Sequence, residues 1–303
     1  MLISLHKQAT TTPKVRRRDG PLSEIPFACR MAASNLESGY PNWSVMTRVP
    51  HLTDIHLRQH QPGSANNPDR LSREMARVLE DLSQRLEPLK VDLIAVTGDL
   101  LDVPDEIIEG GAPRGHDRAD WLDAVEQDLC LIREWLQAQH LPYVICPGNH
   151  DHVTTLAKVF PEASDVVDVA GFRFFCFWDE LGPDRQPRRT GSRLALFDRS
   201  LTAAEHDLPQ IHIQHYTVEP PILHKGWRYE YVGAQSMKQR LEGSQRVRAV
   251  LSGHYHPGSL VHEGHVLYSG APAFCEHPHP FRICHLLESG RIRVEDHSVL
   301  STN

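Results

Sequence analysis

The stretch VDLIAVTGDLLD (residues 91–102) decides the fold class of this chain. Its first half, residues 91–96, is an apolar and β-branched run, which is typical of a buried strand in a parallel sheet. Its second half begins at Gly98, and a glycine at this point suits a tight turn and a close backbone approach. Because ligands bind at the carboxyl ends of parallel strands in open α/β sheets, Asp99 is a candidate for a functional site.

The segments on either side alternate between strands and helices. Residues 45–52 and 141–146 have the composition of strands, and apolar side chains recur at helical spacing in two segments between them. The first helical set is Leu71, Met75, Val78, Leu79, Leu82 and Leu86, and the second is Trp121, Leu122, Val125, Leu129, Ile132, Trp135 and Leu136. This β-α-β-α-β order predicts a parallel sheet with helices packed on it.

The second half of the chain is richer in strands. Candidate strands lie at residues 166–169, 172–178, 210–214, 247–251, 265–269 and 282–287, with one clear helix near residues 234–241. Two sheets packed face to face would bury so many apolar strands. We therefore predict an α/β fold, a four-layer α/β/β/α sandwich of two mixed sheets flanked by helices.

The first 45 residues differ from the rest because they contain a basic cluster at residues 14–18 and no helical or strand periodicity. We expect residues 1–45 to be a flexible N-terminal extension and residues 46–303 to be a single domain. A targeting or regulatory tail, and an upstream start with Met46 as the natural beginning, remain alternatives for the extension.

Composition excludes several classes of protein. Lys and Arg number 32 and Asp and Glu number 39, so a net charge of −7 argues against a nucleic-acid-coating protein. The longest apolar run is far shorter than the roughly 20 residues of a membrane helix. Six cysteines without a C-x-x-C pair, and the lack of a secretory signal, indicate free thiols and a cytoplasmic location. The oligomeric state stays open.

Five polar blocks each follow a predicted strand directly. They are Asp54-Ile55-His56, Gly98-Asp99-Leu100-Leu101-Asp102, Gly148-Asn149-His150-Asp151, His215 and Gly253-His254-Tyr255-His256. Strand ends meet at one edge of a sheet, so these blocks are expected to come together. Within D-x-H and H-x-H, residues i and i+2 on an extended segment would point the same way.

The donor set of these blocks indicates a metal centre. Carboxylates, imidazoles and a carboxamide without thiolate suit first-row transition metals such as Mn, Fe or Zn. Seven candidate ligands are too many for one tetrahedral ion but suit two ions that share a bridge. Two metals about 3.5–4 Å apart are a recurrent arrangement for hydrolysis of phosphoric esters.

The five blocks follow one another in the order D-x-H, G-D-x-x-D, G-N-H-D, a lone His and G-H-x-H. This order resembles the signature of the calcineurin-like metallophosphoesterase superfamily over about residues 46–256. The resemblance is greatest to its bacterial, cyclic-nucleotide-phosphodiesterase-like branch. Asp102 is followed by Val103-Pro104 instead of the D-R-G extension of the protein Ser/Thr phosphatase branch.

The resemblance implies a role for each residue of the motifs. Asp54, His56, Asp99 and His256 would hold one divalent or mixed-valence metal, and Asp99, Asn149, His215 and His254 would hold the second. Asp99 would then be the bridging carboxylate. His150 would stabilise the phosphoryl transition state or protonate the leaving oxygen, and Asp151 would orient His150.

His215 departs from the pattern of the family, which has His-His-Pro-Pro where this chain has His215-Tyr216-Thr217-Val218. We prefer His215 to His212 because His215 ends the strand, whereas His212 lies inside it and faces the other side. His152, Tyr216, Trp227 and Arg228 are candidates for substrate contacts, although packing in the core is the commoner role of such aromatic residues.

The sequence therefore predicts a binuclear metal-dependent phosphoesterase that acts on a small-molecule phosphodiester or phosphomonoester by attack of a metal-bridging hydroxide. A phosphodiesterase is favoured over a monoesterase. The alternative is a catalytically silent metal-binding scaffold that presents a surface to protein partners.

Overall fold

The computed structural model describes residues 45–65, 67–222 and 229–300. In the first half, the elements are β1 (Val45–Leu52), α1 (Met75–Leu86), β2 (Ile94–Thr97), α2 (Asp105–Ile108), α3 (Arg118–Ala138), β3 (Tyr143–Cys146) and α4 (Val153–Val159). The second half contains β4 (Val166–Val169), β5 (Phe172–Cys176), β6 (Glu180–Leu181), β7 (Pro187–Arg188), α5 (Gly191–Thr202), β8 (Gln210–Ile213), α6 (Ala234–Gly243), β9 (Val247–Ser252), β10 (Ser259–Glu263), β11 (Val266–Gly270), β12 (Pro280–Leu287) and β13 (Ile292–Ser298).

The strands form two mixed sheets and a small hairpin. The first sheet has the order β13-β12-β1-β2-β3, and the second has the order β10-β11-β9-β8-β5-β4. In the first sheet β1, β2 and β3 are parallel, while β12 and β13 run antiparallel to their neighbours. In the second sheet β5, β8, β9 and β11 are parallel, and β4 and β10 are antiparallel edge strands.

Three apolar clusters separate four layers. The first packs α1 and α3 on the outer face of the first sheet, through residues such as Leu82 and Ile132. The second lies between the two sheets and includes Ala95 and Phe174. The third packs α5 and α6 on the outer face of the second sheet, where Phe197 and Leu241 are buried. The predicted α/β/β/α sandwich is confirmed.

All predicted strands and helices are present, with ends that differ by a few residues. The helix that contains Met75 begins there, so Leu71 lies before it. Five elements longer than three residues were not predicted: α2, α4, α5, β10 and β13. β13 has only two apolar residues, Ile292 and Val294, and lies at the edge of the first sheet, where burial is partial, so its apolar signal is weak.

The predicted extension, residues 1–45, lies outside the described residues apart from Val45, which begins β1. In the described part of the chain, the five cysteines Cys130, Cys146, Cys176, Cys275 and Cys284 are free. None of the described helices combines the length and the apolarity that crossing a bilayer requires.

Candidate metal centre

The five polar blocks meet at the carboxyl ends of strands from both sheets. β1, β2 and β3 of the first sheet lead into Asp54, Asp99 and Asn149, and β8 and β9 of the second lead into His215 and His254. His254 donates its backbone N–H to Oδ2 of Asp54 at 3.0 Å, across 200 residues of sequence. The two sheets therefore bring together side chains that are far apart in the chain.

Asp99 lies between two groups of side chains. Its Oδ2 is 3.7 Å from Nε2 of His56 on one side and 3.6 Å from Nε2 of His215 on the other. Burial and the nearby carboxylates of Asp54 and Asp151 raise the pKa of Asp99 well above its usual range. A buried carboxylate in this position gains from cations on both sides, as a bridging ligand would.

The first group consists of Asp54, His56 and His256. Oδ1 of Asp54 is 3.4 Å from Nε2 of His256 and 3.7 Å from Nε2 of His56. Burial, together with the charge of Arg70, holds the pKa of His56 well below its usual range, so that this ring is neutral. A neutral imidazole is the form of histidine that binds a metal.

Both ring nitrogens of His56 are buried, and neither makes a hydrogen bond within the described part of the chain. Native proteins satisfy nearly all buried polar atoms with a protein group, a water or an ion. Asp54, His56 and His256 offer one ligand atom each within 4.8 Å of one another. A metal ion therefore fits this group.

The second group consists of Asp99, Asn149, His215 and His254. Nδ1 of His215 donates to the carbonyl of Thr97 at 2.8 Å, which leaves Nε2 as the ligand atom. That Nε2 is 3.3 Å from Oδ1 of Asn149 and 3.2 Å from Nδ1 of His254. Asp99, His215 and His254 also offer ligand atoms within 4.8 Å of one another, so a second ion fits here.

The expectation for His212 is confirmed. Its ring is fully buried and packs edge-on against Phe175, Phe177 and Phe197 on the face of β8 opposite the candidate centre. His215, at the end of that strand, is the histidine that reaches Asp99.

The backbone of the D-x-H block does not have the extended conformation that the sequence analysis expected. Asp54, His56, Asp99 and His254 have φ values of 51°, 49°, 48° and 68°, so two of the three residues of the D-x-H block are in the left-handed region and the block is not a regular extended segment. Strained residues of this kind concentrate at functional sites, where the surrounding structure holds them in place.

Two glycines of the motifs allow the backbone to pass close to the candidate ligands. A Cβ at Gly148 would lie 2.5 Å from the backbone nitrogen of Asp99 and would collide with its Oδ1. A Cβ at Gly253 would lie 2.8 Å from Oδ2 of Asp54. Close approach is therefore the reason for glycine at these positions.

The surroundings of His150 correct one expectation. Asp151 does not orient its ring, because the Asp151 carboxylate accepts hydrogen bonds from the backbone N–H groups of Gly148, Leu100 and Leu101 at 2.8, 3.1 and 2.9 Å. Asp151 thereby joins the loops after β2 and β3. The carboxylate that faces Nδ1 of His150 belongs to Asp102, at 3.8 Å.

The other ring nitrogen of His150, Nε2, faces Nη1 of Arg70 at 3.4 Å. Burial and the charge of Arg70 lower the pKa of His150 to about 4. Burial raises the pKa of Asp151 to about 6, against the effect of its backbone hydrogen bonds.

A cleft of about 930 Å³ opens over the candidate centre. Asp99, Asn149, His150, His254 and His256 line it at one end. Its remaining walls include Arg58, Arg70, Tyr229 and Tyr255, which sequence reasoning missed. Arg58 and Arg70 lie in the β1–α1 loop outside any motif, and no signal in the sequence pointed to them.

Of the four residues that the sequence offered as candidates for substrate contacts, two lie outside the cleft lining and two lie outside the described residues. Tyr216 is buried and packs edge-on against His215 and His254, so it supports the rings from behind and does not line the cleft. His152 caps α4, accepts from the backbone of Thr155 and also lies outside the cleft lining. Trp227 and Arg228 lie outside the described residues.

Fold and site together define a metallophosphoesterase. The chain belongs to the calcineurin-like phosphoesterase family, whose profile matches residues 47–258. It is 26% identical, over 233 residues, to a protein of Synechococcus sp. described as a probable cyclic nucleotide phosphodiesterase; the match covers 74% of this chain and 79% of that protein.

Solved structures share the fold. A dimetal phosphatase from Danio rerio superposes with a TM-score of 0.63 at 15% identity, over 85% of this chain and 98% of the other. A purple acid phosphatase from yellow lupin (Lupinus luteus) seeds gives a TM-score of 0.55 at 14% identity, over 86% of this chain and 52% of the other. At these identities the likeness concerns the fold alone.

Proposed function

We propose that this chain is a binuclear metal-dependent phosphoesterase that hydrolyses phosphodiesters in preference to phosphomonoesters. The observation that carries the proposal is the convergence of seven N- and O-donor side chains, with Asp99 between its two groups, at one end of a cleft large enough for a small-molecule ester.

The donor set favours two divalent or mixed-valence transition ions, such as Mn, Fe or Zn. The residues that would hold one ion are Asp54, His56, Asp99 and His256, and those that would hold the other are Asp99, Asn149, His215 and His254. When bound, the ions would polarise the phosphoryl group and activate water near neutral pH.

His150 is the proposed proton donor. Its ring lines the cleft next to Asn149. Without substrate, burial and the charge of Arg70 hold the pKa of His150 at about 4, so the ring is neutral. The negative charge of a bound phosphoric ester would raise this pKa, and Nε2 would then take up a proton and give it to the ester oxygen as the bond between that oxygen and phosphorus breaks. Nδ1 of the ring lies 3.8 Å from Oδ1 of Asp102, a carboxylate that also accepts from Arg58 and Arg70. Asp151 is a positioning residue, since it ties the backbone of Gly148, just before Asn149 and His150, to the backbone of Leu101 in the loop after β2.

Two observations favour a diester substrate. The Synechococcus relative is described as a probable cyclic nucleotide phosphodiesterase. In addition, Asp102 precedes Val103-Pro104 and not the D-R-G extension of the protein phosphatase branch.

A substrate panel tests this proposal. Metal-free and Mn²⁺-reconstituted protein are assayed with bis-p-nitrophenyl phosphate, p-nitrophenyl phosphate and cyclic AMP, alongside analysis of bound metal. We expect Mn²⁺-dependent turnover that is faster for the diester than for the monoester. Faster turnover of p-nitrophenyl phosphate would contradict the diester preference. If two metals bind and no ester is hydrolysed, the catalytically silent scaffold is the better description.

We further propose that residues 46–303 form the catalytic domain and that the N-terminal extension is dispensable. Since Val45 already pairs with Leu287 in the first sheet, the test removes residues 1–42 and leaves β1 whole. The shortened protein is expected to keep the kcat/KM of the full chain. A folded but inactive product would contradict this.

A further inference from the structure

A cluster of two arginines and one carboxylate adjoins the candidate centre. Asp102 accepts from Nη1 of Arg58 at 3.0 Å through Oδ2, and from Nη1 of Arg70 at 2.9 Å through Oδ1. Two guanidinium groups thus share a single carboxylate. The cluster carries an excess positive charge at the wall of the cleft.

Arg58 has a structural role in the loop after β1. It donates to the carbonyls of Ser64 and Pro62 as well as to Asp102, and its guanidinium lies 5.4 Å from the ring of Trp121. Its side chain is 7% exposed. These contacts occupy both terminal nitrogens of Arg58, so this arginine holds the loop after β1.

Arg70 has unused donors and reaches the reacting end of the cleft. Its Nη2 makes no hydrogen bond with any described residue, and its Nε is buried without a partner in the same part of the chain. Its Nη1 lies 3.4 Å from Nε2 of His150, the nitrogen that faces the leaving oxygen in the proposed reaction. The guanidinium of Arg70 therefore lies where it would bind an anionic oxygen next to His150.

The loop that carries Arg70 is held at both ends. Asp128 of α3 is fully buried and accepts from the backbone N–H groups of Gln59, His60 and Gln61. Leu71 donates its backbone N–H to the carbonyl of Cys275 at 3.0 Å. A guanidinium presented from a fixed loop costs little to order when a ligand binds.

We infer that Arg70 is a substrate-binding residue, which donates hydrogen bonds from its guanidinium to a phosphoryl oxygen on the side of the cleft where His150 lies. This inference rests on the proposed function. A planar guanidinium suits phosphate oxygens because it offers two parallel donors. The substrate oxygen replaces His150 as the partner of Nη1, while Asp102 keeps the guanidinium in place.

The test compares Arg70→Gln, Arg70→Lys and two control variants in Mn²⁺-loaded protein. Binding of inorganic phosphate is measured by calorimetry, and kcat and KM are measured with bis-p-nitrophenyl phosphate. Arg77 is the control for loss of a surface arginine, since among the described residues its ion pairs are with Glu74, which precedes α1, and with Asp81 of α1. Arg73 is the control for the loop, because it donates to the carbonyls of Gln59 and Gln61 and lies outside the cleft lining.

Loss of a charge-assisted hydrogen bond predicts that Arg70→Gln weakens phosphate binding about 10- to 100-fold and raises KM, with the metal content unchanged. Arg70→Lys should recover part of the loss, and Arg77→Gln should match the wild type. Unchanged phosphate affinity in Arg70→Gln would overturn the inference. An equal loss in Arg73→Gln would also overturn it, since loop disorder would then explain both variants.

The two proposals can fail separately. If the wild-type protein binds two metals and hydrolyses no ester, the proposed function fails, although phosphate affinity still reports on Arg70. If the wild type hydrolyses the diester and Arg70→Gln has the same KM and phosphate affinity, the inference about Arg70 fails alone.

Discussion

Nδ1 of His256 and Oε1 of Glu276 lie 2.6 Å apart, so a carboxylate from the loop after β11 orients the last histidine of the candidate centre. Burial would lower the pKa of His256, but Asp54 and Glu276 raise it to about 9. A carboxylate on the far side of a ligating imidazole fixes the ring and makes the ligand nitrogen more basic.

Glu276→Gln is therefore expected to weaken metal binding at the Asp54–His56–His256 group. Loss of a partner of this kind costs about 10- to 100-fold in affinity, measured by competition with a metal chelator. Glu288→Gln, on the exposed turn between β12 and β13, is the matched control and should bind metal as the wild type does. Equal affinities in Glu276→Gln and the wild type would show that His256 needs no orienting partner.

His150→Ala separates proton donation from metal binding. The variant should keep two metals, because its ring is not among the proposed ligands, and should lose about 10²- to 10⁴-fold in kcat. The loss should be smaller for bis-p-nitrophenyl phosphate than for cyclic AMP, since p-nitrophenolate leaves without a proton. A variant that retains full kcat on cyclic AMP would exclude His150 as the proton donor.

The two histidines near β8 make a matched pair. His215→Asn should lose metal from the second group, because Nε2 of His215 reaches Asp99 and Asn149. His212→Phe should keep the wild-type metal content, since His212 already lies among aromatic rings. Metal analysis of both purified variants decides the question, and the reverse pattern would mean that the ligand was assigned to the wrong histidine.

Gly148→Ala tests the close packing of the loop after β3 against Asp99. The added methyl group collides with Oδ1 of Asp99 and must displace it, so we expect a loss of about 1–3 kcal/mol in unfolding free energy. Reduced metal content should accompany this loss. Gly243→Ala, where a Cβ meets nothing within 4 Å, is the control and should not be destabilised. Chemical denaturation of both variants measures the difference, and equal stability would contradict the tight approach.

The sequence predicted the layers of the fold and the members of the candidate centre for the same physical reason. Apolar β-branched runs form buried strands, and each polar block begins where such a run ends, as Asp99 does after β2. Local patterns of this kind can be recognised in the sequence without knowing which loops lie next to one another in the folded chain.

The residues that sequence reasoning missed have roles that depend on distant contacts. Glu276 contacts His256, 20 residues away, and Arg70 contacts Asp102 and His150, 32 and 80 residues away. The assignment of Asp151 to His150 failed because adjacent residues in a turn point in different directions. Its carboxylate faces the backbone, and the ring of His150 faces Asp102.

The most direct test of the central claim is a titration of metal-free protein with Mn²⁺, in which bound metal and hydrolysis of bis-p-nitrophenyl phosphate are measured on the same samples. Because the two groups of ligands share Asp99, we expect the hydrolysis rate to reach its plateau only when two ions are bound per chain. A plateau at one bound ion, or no hydrolysis at any metal loading, would contradict a binuclear phosphoesterase.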